Sequence, residues 1–234
     1  MAGLRVATWN CQHGRPVPER VGESVAELDV DVLALQEIDR NSRRVGRRDL
    51  AARAHEVFGG ELTWAPAITL PGGGEYGNAL LVRGEVRRSL VLTLPGRRRG
   101  LRRGYRKGSE PRVAAVAEVV VDDHTWTIAA THLSTHRYMA GTQLVALIDE
   151  LRSWPEPYVL LGDLNLEVVH LLPSLTAESY RLAIGPLTHP AHRPRRQIDH
   201  VAVYGPGCSV TPVDTVQLPV GDHRALIADV HCPD

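Results

Sequence analysis

The chain has 234 residues, 43% of them hydrophobic, and its 27 basic and 27 acidic side chains cancel to a net charge of zero. That length and apolar content suit one domain with a sizeable core, spanning 1–234, and the charge balance excludes a uniformly basic, nucleic-acid-coating surface. No apolar run is long enough to span a membrane, and the segment Met1-Ala2-Gly3-Leu4-Arg5 has neither an apolar leader nor a cleavage signature. Cys11, Cys208 and Cys232 are odd in number and widely spread. They read neither as a disulfide framework nor as a zinc site, so the expectation is a soluble cytoplasmic protein, monomer favoured, with reduced thiols.

Short apolar runs bounded by Gly, Pro, Asp or Asn recur along the chain and predict strands. The first is at 4–9. Val21, Val25 and Leu28 then follow at helical spacing, before a second strand at 32–35. Leu50, Ala54 and Val57 predict another helix, followed by strands at 78–82, 86–92, 113–121 and 126–130. The strongest helix runs over 138–151, with Leu144, Leu147, Ile148 and Leu151 on one face and Pro155 and Pro157 beyond its end. Strands at 158–161, 201–204 and 225–230 complete the set. Strands outnumber helices and several follow one another directly, so a mixed α/β protein of two packed sheets with helices outside fits better than a βαβ chain. Pro71-Gly72-Gly73-Gly74 and the arginine- and glycine-rich stretch 96–108 read as surface loops.

The polar residues fall at the ends of these runs. Asn10, Glu37 and His132 end strands; Asp163 follows one, with Asn165 two residues on. Asp199 and His200 precede the strand at 201–204, and Asp222 and His223 precede the strand at 225–230. Where neighbouring strands are antiparallel, exits and entries share one edge, so these groups can line a single cleft. Each alone reads as a turn residue; the set suits phosphate ester hydrolysis. Magnesium takes carboxylate and amide oxygens, which Glu37 and Asn10 offer. A base must aim water, and donors must meet the phosphoryl charge; Asp163, Asn165 and the histidines are of those types. An Asp–His pair tunes its histidine. His189 and His192 lie in a proline-rich loop and read as solvated.

In order, Thr8-Trp9-Asn10, Leu35-Gln36-Glu37, Tyr76-Gly77-Asn78, Thr131-His132-Leu133, Gly162-Asp163-Leu164-Asn165, Ile198-Asp199-His200 and Gly221-Asp222-His223 resemble the motifs of the endonuclease/exonuclease/phosphatase superfamily. The resemblance implies the deoxyribonuclease-I-like fold, a four-layer α/β sandwich of two packed mixed β-sheets with helices on the outer faces. It also implies Mg²⁺-dependent hydrolysis of phosphate esters, with Mn²⁺ able to substitute. By this analogy Glu37 is the main metal ligand, with Asn10 beside it and Asp222 nearby. Asp163 orients or deprotonates the attacking water. Asn165 and His132 contact phosphate oxygens. His223 stabilises the developing charge and Asp199 buttresses it. Tyr76 and Asn78 fall where family members shape the substrate groove. Gln12 stands where some nuclease members carry an acid, which argues against a second acidic ligand there.

The fold does not choose among nucleic acid, a phosphorylated small molecule and a lipid headgroup as substrate. Arg97, Arg98 and Arg102 of the basic loop suit a polyanion and motivate a DNA or RNA nuclease as the alternative. The scarcity of aromatic residues argues against extended base stacking. A catalytically silent binding module is the third reading, opposed by the complete set of catalytic residue types.

Overall fold

The computed structural model describes residues 1–96 and 110–233. In chain order the elements begin with β1 (Ala2–Asn10), α1 (Val21–Ala26), β2 (Val32–Arg40), α2 (Leu50–Phe58), β3 (Glu61–Thr69) and β4 (Glu75–Val82). They continue with β5 (Glu85–Thr93), β6 (Val113–Val121), β7 (His124–His132), α3 (Arg137–Leu151) and β8 (Tyr158–Asp163). The last are α4 (Val168–Ala177), β9 (Arg181–Leu182), β10 (Asp199–Tyr204), β11 (Ser209–Val216) and β12 (Ala225–Cys232). Two six-stranded sheets result, ordered β11-β12-β1-β2-β4-β3 and β5-β6-β7-β8-β10-β9. Both are mixed: β1 pairs with β2 in parallel, β7 pairs with β8 in parallel, and the other ladders are antiparallel.

Strand alternation sorts the side chains into three apolar cores between four layers. Leu4 and Val6 of β1, Val32 and Ala34 of β2, Val113 and Ala115 of β6, Ile128 and Ala130 of β7, Val159 and Leu161 of β8 and Val201 and Val203 of β10 form the core between the sheets. The alternate residues Ala7, Trp9, Leu33, Leu35 and Leu81 pack beneath α1 and α2. Ala114, Val116, Ala129, Leu160 and Ala202 pack beneath α3 and α4. The expected four-layer sandwich is therefore present, with a separate apolar seam under each helical layer.

Continuing the inward alternation to the strand ends locates the polar residues. Asn10 shares the face of Leu4 and Val6, His132 that of Ile128 and Ala130, Asp163 that of Val159 and Leu161, and Asp199 that of Val201 and Val203. His200 is one residue out of step and turns away; its Nε2 donates to the Leu166 carbonyl at 2.7 Å.

β3, α4 and β11 were not predicted. Pro66, Pro173 and Pro212 interrupt their sequences. β3 and β11 are the two edges of the first sheet, where a strand tolerates a residue without an N–H, and each carries its register shift beside its proline. The expectation of reduced thiols fails for Cys208 and Cys232, which are joined in a disulfide with Cα atoms 4.1 Å apart. The antiparallel pairing of β11 and β12 brings them together across 24 residues of sequence. Only Cys11 is free and buried. No helix among the described residues is long and apolar enough to cross a membrane.

His200 makes stability depend on acid. Burial lowers its pKa from 6.5 to about 4, against the smaller opposing pulls of the Leu166 carbonyl and Asp199. The unfolded imidazole protonates first, so stability is fully present above pH 6.5 and falls as the pH drops towards 4. Across that window the loss amounts to about 3 kcal/mol. In denaturant unfolding from pH 7.5 to 4.5, His200→Gln is expected to remove about 2–3 kcal/mol of the wild-type acid sensitivity. An unchanged slope would contradict the assignment.

Candidate active site

Hydrogen bonds between the sheets hold two buried acids at the polar end of the sandwich. Asn10, at the exit of β1, donates from Nδ2 to Asp163 Oδ2 at 3.0 Å. His223, in the turn before β12, donates from Nδ1 to Asp199 Oδ2 at 2.8 Å. Asp163 and Asp199 face each other across the antiparallel β8–β10 pair, and both are buried. His223 Nε2 lies 3.9 Å from Asp163 Oδ2. Burial alone would lower the His223 pKa, but Asp199, Asp163 and Asp222 outweigh it and raise it, so His223 is a cation near neutrality. Burial and the Asp199 charge hold Asp163 above the usual carboxylate range, against His223, Asn10 and the Asn165 N–H.

Asp163 is aimed by the glycine before it. Gly162 has φ 151°, and a Cβ there would lie 1.9 Å from the Thr131 carbonyl oxygen of the adjacent strand. Asn165, in the left-handed region at φ 51°, curls back so that its N–H donates to Asp163 Oδ1 at 3.0 Å. Its amide nitrogen donates to the Leu133 carbonyl and also lies 3.0 Å from His132 Nε2. On the far side of that ring, Arg112 Nη1 donates to Nδ1 at 3.0 Å. A guanidinium only donates, so the neutral ring carries its proton on Nε2. Burial, Arg112 and His223 all push the His132 pKa well down, which keeps the ring neutral. His132 Nε2 and the Asn165 amide are thus two donors crowded together beside Asp163 Oδ2, itself 3.4 Å from Nε2. Donors in this position suit an anionic oxygen of a ligand.

Glu37 reaches the site through a defect in β2. The β2–β4 register shifts between Leu35 and Ile38, and Glu37 takes φ 56°. This bulge removes Glu37 from the face covered by α1 and α2 while returning Ile38 to it. Burial raises the Glu37 pKa; Asp222 adds to the rise, while Asn10, Arg112 and His223 oppose it. Asp222 Oδ2 accepts from Gln12 Nε2 at 2.8 Å. The backbone N–H of Gln12 in turn donates to Asn10 Oδ1 at 3.1 Å.

Asn10, Glu37, His132, Asp163, Asn165, Asp199, Asp222 and His223 therefore meet at one end of the molecule. Tyr76 is buried beneath the Arg44 guanidinium, 5.0 Å from its ring centroid, with its pKa raised by burial and by the nearby Glu37. Asn78 donates to the Val113 carbonyl of the opposite sheet at 3.0 Å, which makes its amide a cross-sheet tie. Arg97, Arg98 and Arg102 lie outside the described residues. His189 departs from the solvated reading: it is half-buried, and its ring centroid is 4.6 Å from that of His223. Arg112, only 5% exposed, is not among the residues the sequence singles out, and Gln12, read there only as the replacement of an acid, holds Asp222. The adjoining Glu110-Pro111 ahead of β6 marks Arg112 as a loop residue, and nothing in the pattern marks it as buried.

A sequence profile described as the Endonuclease/Exonuclease/phosphatase family matches residues 7–223. The chain belongs to that family. No curated protein matches it in sequence. Among solved structures it is similar to an endonuclease/exonuclease/phosphatase from Beutenbergia cavernae, with TM-score 0.75 and 20% identity over 99% of this chain and 72% of that one. It is similar to the mannosyl-6-phosphatase Bt3783 of Bacteroides thetaiotaomicron, with TM-score 0.70 and 14% identity over 98% of this chain and 100% of that one. It is also similar to sphingomyelinase C of Streptomyces griseocarneus, with TM-score 0.70 and 16% identity over 98% and 99% of the two chains.

The family implies a divalent cation, and the donor set here fits one. Glu37 and Asp222 are mutually repelling carboxylates grouped with the amide of Asn10, and oxygen donors of this kind suit a hard cation. Among the described residues, two acid–histidine groups have ligand atoms within 4.8 Å: His189–Asp222–His223 and Asp163–Asp199–His223. The second is already committed to the His223–Asp199 hydrogen bond.

The placement of Asp163 depends on the missing Cβ of Gly162. Gly162→Ala is expected to cost about 3 kcal/mol or more in chemical denaturation. Gly141→Ala, in α3 with nothing within 4 Å of the added Cβ, is expected to stabilise by up to about 1 kcal/mol. Wild-type stability in Gly162→Ala would refute the steric argument.

Proposed function

We propose that this family member is a Mg²⁺-dependent hydrolase of phosphate esters, a phosphodiesterase or phosphatase. The observation that carries the reading is the meeting of three differently tuned groups around one point: a carboxylate held up in pKa, a neutral imidazole and a cationic imidazole. In the reaction, water attacks phosphorus and gives its proton to Asp163. The phosphorus–ester bond breaks, and the ester oxygen leaves with the electron pair. A raised carboxylate pKa brings the base closer to working pH, where general-base catalysis is most effective. His132 and Asn165 donate to phosphoryl oxygens, and His223, held by Asp199, offsets the charge that grows on them. Arg112 behind His132 keeps its Nε2–H directed forward. Glu37, Asn10 and Asp222 would hold the Mg²⁺, which would polarise the phosphoryl group when bound.

The similar structures include a phosphatase and a sphingomyelinase, which support the phosphoester class. The nuclease alternative rests on Arg97, Arg98 and Arg102, and no observation among the described residues favours it over the broader reading. The disulfide between Cys208 and Cys232 favours an oxidising compartment over the cytoplasm.

A panel of phosphomonoesters and diesters, bis-p-nitrophenyl phosphate included, tests the proposal. Turnover is expected with Mg²⁺ or Mn²⁺ and absent in EDTA. Asp163→Asn is expected to lower kcat by roughly 10²–10⁴-fold, and Glu37→Gln to raise the Mg²⁺ concentration needed for half-maximal rate. No turnover across the panel, or full activity in Asp163→Asn, would refute it.

A further inference from the structure

Between β9 and β10 the chain returns on itself in a tight hairpin whose backbone is tied at both ends. His189 and Arg196 form an antiparallel bridge, with Thr188 N–H donating to the Arg196 carbonyl at 2.9 Å and Arg196 N–H to the His189 carbonyl at 3.1 Å. A second set of bonds fastens the hairpin to the catalytic turn. Ala191 N–H donates to the Asp222 carbonyl at 2.7 Å, Arg224 N–H to the Thr188 carbonyl at 2.8 Å, and Arg224 Nε to the Ala191 carbonyl at 2.8 Å. The hairpin and the Asp222–His223 segment are therefore one rigid unit.

The side chains of this unit have a direction. The His189 ring leans on His223 with centroids 4.6 Å apart, and one of its ring nitrogens lies within 4.8 Å of ligand atoms of Asp222 and His223. Arg196 Nη2 lies 3.2 Å from His189 Nδ1. Because Arg196 can only donate, Nδ1 accepts and the ring's proton is on Nε2. Arg196 itself is exposed, with donors left over. Arg193, Arg195 and Arg196 form no ion pair with any carboxylate among the described residues. Some other arginines are neutralised: Arg5, Arg44 and Arg88 hold Asp229, Asp39 and Glu118 at 2.8, 2.6 and 2.8 Å, whereas the exposed Arg43, Arg87 and Arg181, on other parts of the surface, have no carboxylate partner among the described residues. Uncompensated guanidinium charge thus stands one imidazole ring beyond His223, the group assigned to the reacting phosphate.

We propose that Arg196, with His189 as the link to the catalytic site, binds a second anionic group of the substrate, so that the preferred ester carries a further phosphate or carboxylate beside the phosphate that is cleaved. This rests on the phosphoester hydrolase reading. The planar fork of Arg196 suits such an oxyanion, and its contact with His189 restrains it before substrate arrives.

Two substrate pairs test the inference. One is p-nitrophenyl thymidine 5′-phosphate with and without a 3′-phosphate, followed by nitrophenolate release. The other is glucose 6-phosphate beside glucose 1,6-bisphosphate, followed by phosphate release. For the pair that is turned over, wild type is expected to favour the doubly charged member by roughly tenfold or more in kcat/KM. Arg196→Ala is expected to bring that ratio to about one, and Arg196→Lys to restore part of it. A wild-type ratio near one, or a ratio that Arg196→Ala leaves unchanged, overturns the proposal. Absence of turnover on all four esters counts against the hydrolase reading instead. Calorimetry with pyrophosphate and inorganic phosphate then decides the anion site: tighter pyrophosphate binding that is lost in Arg196→Ala upholds it, and equal binding overturns it.

Discussion

The site depends on the two sheets being polar toward each other at one end only. Over most of their length they meet through Val, Leu, Ile and Ala. At the end where β1, β7 and β8 finish and β10 begins, the same inward-facing rows continue as Asn10, His132, Asp163 and Asp199. Buried polar groups require partners, and a buried group left without one costs about 1–3 kcal/mol. Here the partners come from the opposite sheet: Asn10 for Asp163, His223 for Asp199, and the Val113 carbonyl for Asn78. The bonds that tie the polar ends of the strands together also gather residues from position 10 to position 223.

Such a site is rigid because it stands on strand ends over a packed core. Preorganised charge of this kind is what a phosphoryl transfer needs, since stabilising groups need not reorganise as the reaction proceeds. The neighbours also separate the roles. Burial acts on His132 and His223 alike, yet only His132 ends neutral. Its ring faces Arg112, whereas His223 is surrounded by Asp199, Asp163 and Asp222. Two imidazoles a few ångströms from one carboxylate therefore differ in charge for reasons visible in their partners.

Much of this was legible in the sequence. Most strands appear as apolar runs between breakers, and 113–121 matches β6 in full. The alternation within each run also tells which polar neighbour faces inward, separating Asp199 from His200. Other features were not legible because they depend on contacts distant in sequence. β3 and β11 carry prolines that a central strand rejects, and only their position at the sheet edge makes them admissible. The Cys208–Cys232 bond follows from strand pairing, which spacing alone does not reveal. Arg112 and His189 lie in loops whose sequences look solvated. Their burial arises from the partners the fold supplies, His132 for one and His223 for the other.

The central claim is that these strand ends form one site for a cation and a phosphoryl group. A crystal grown with Mn²⁺ and inorganic phosphate tests it most directly, because Mn²⁺ is located by its anomalous scattering. The account predicts an ion on the Glu37 carboxylate and a phosphate held by His132, Asn165 and His223. An ion bound away from Glu37, or a phosphate seated in a different part of the surface, would contradict it.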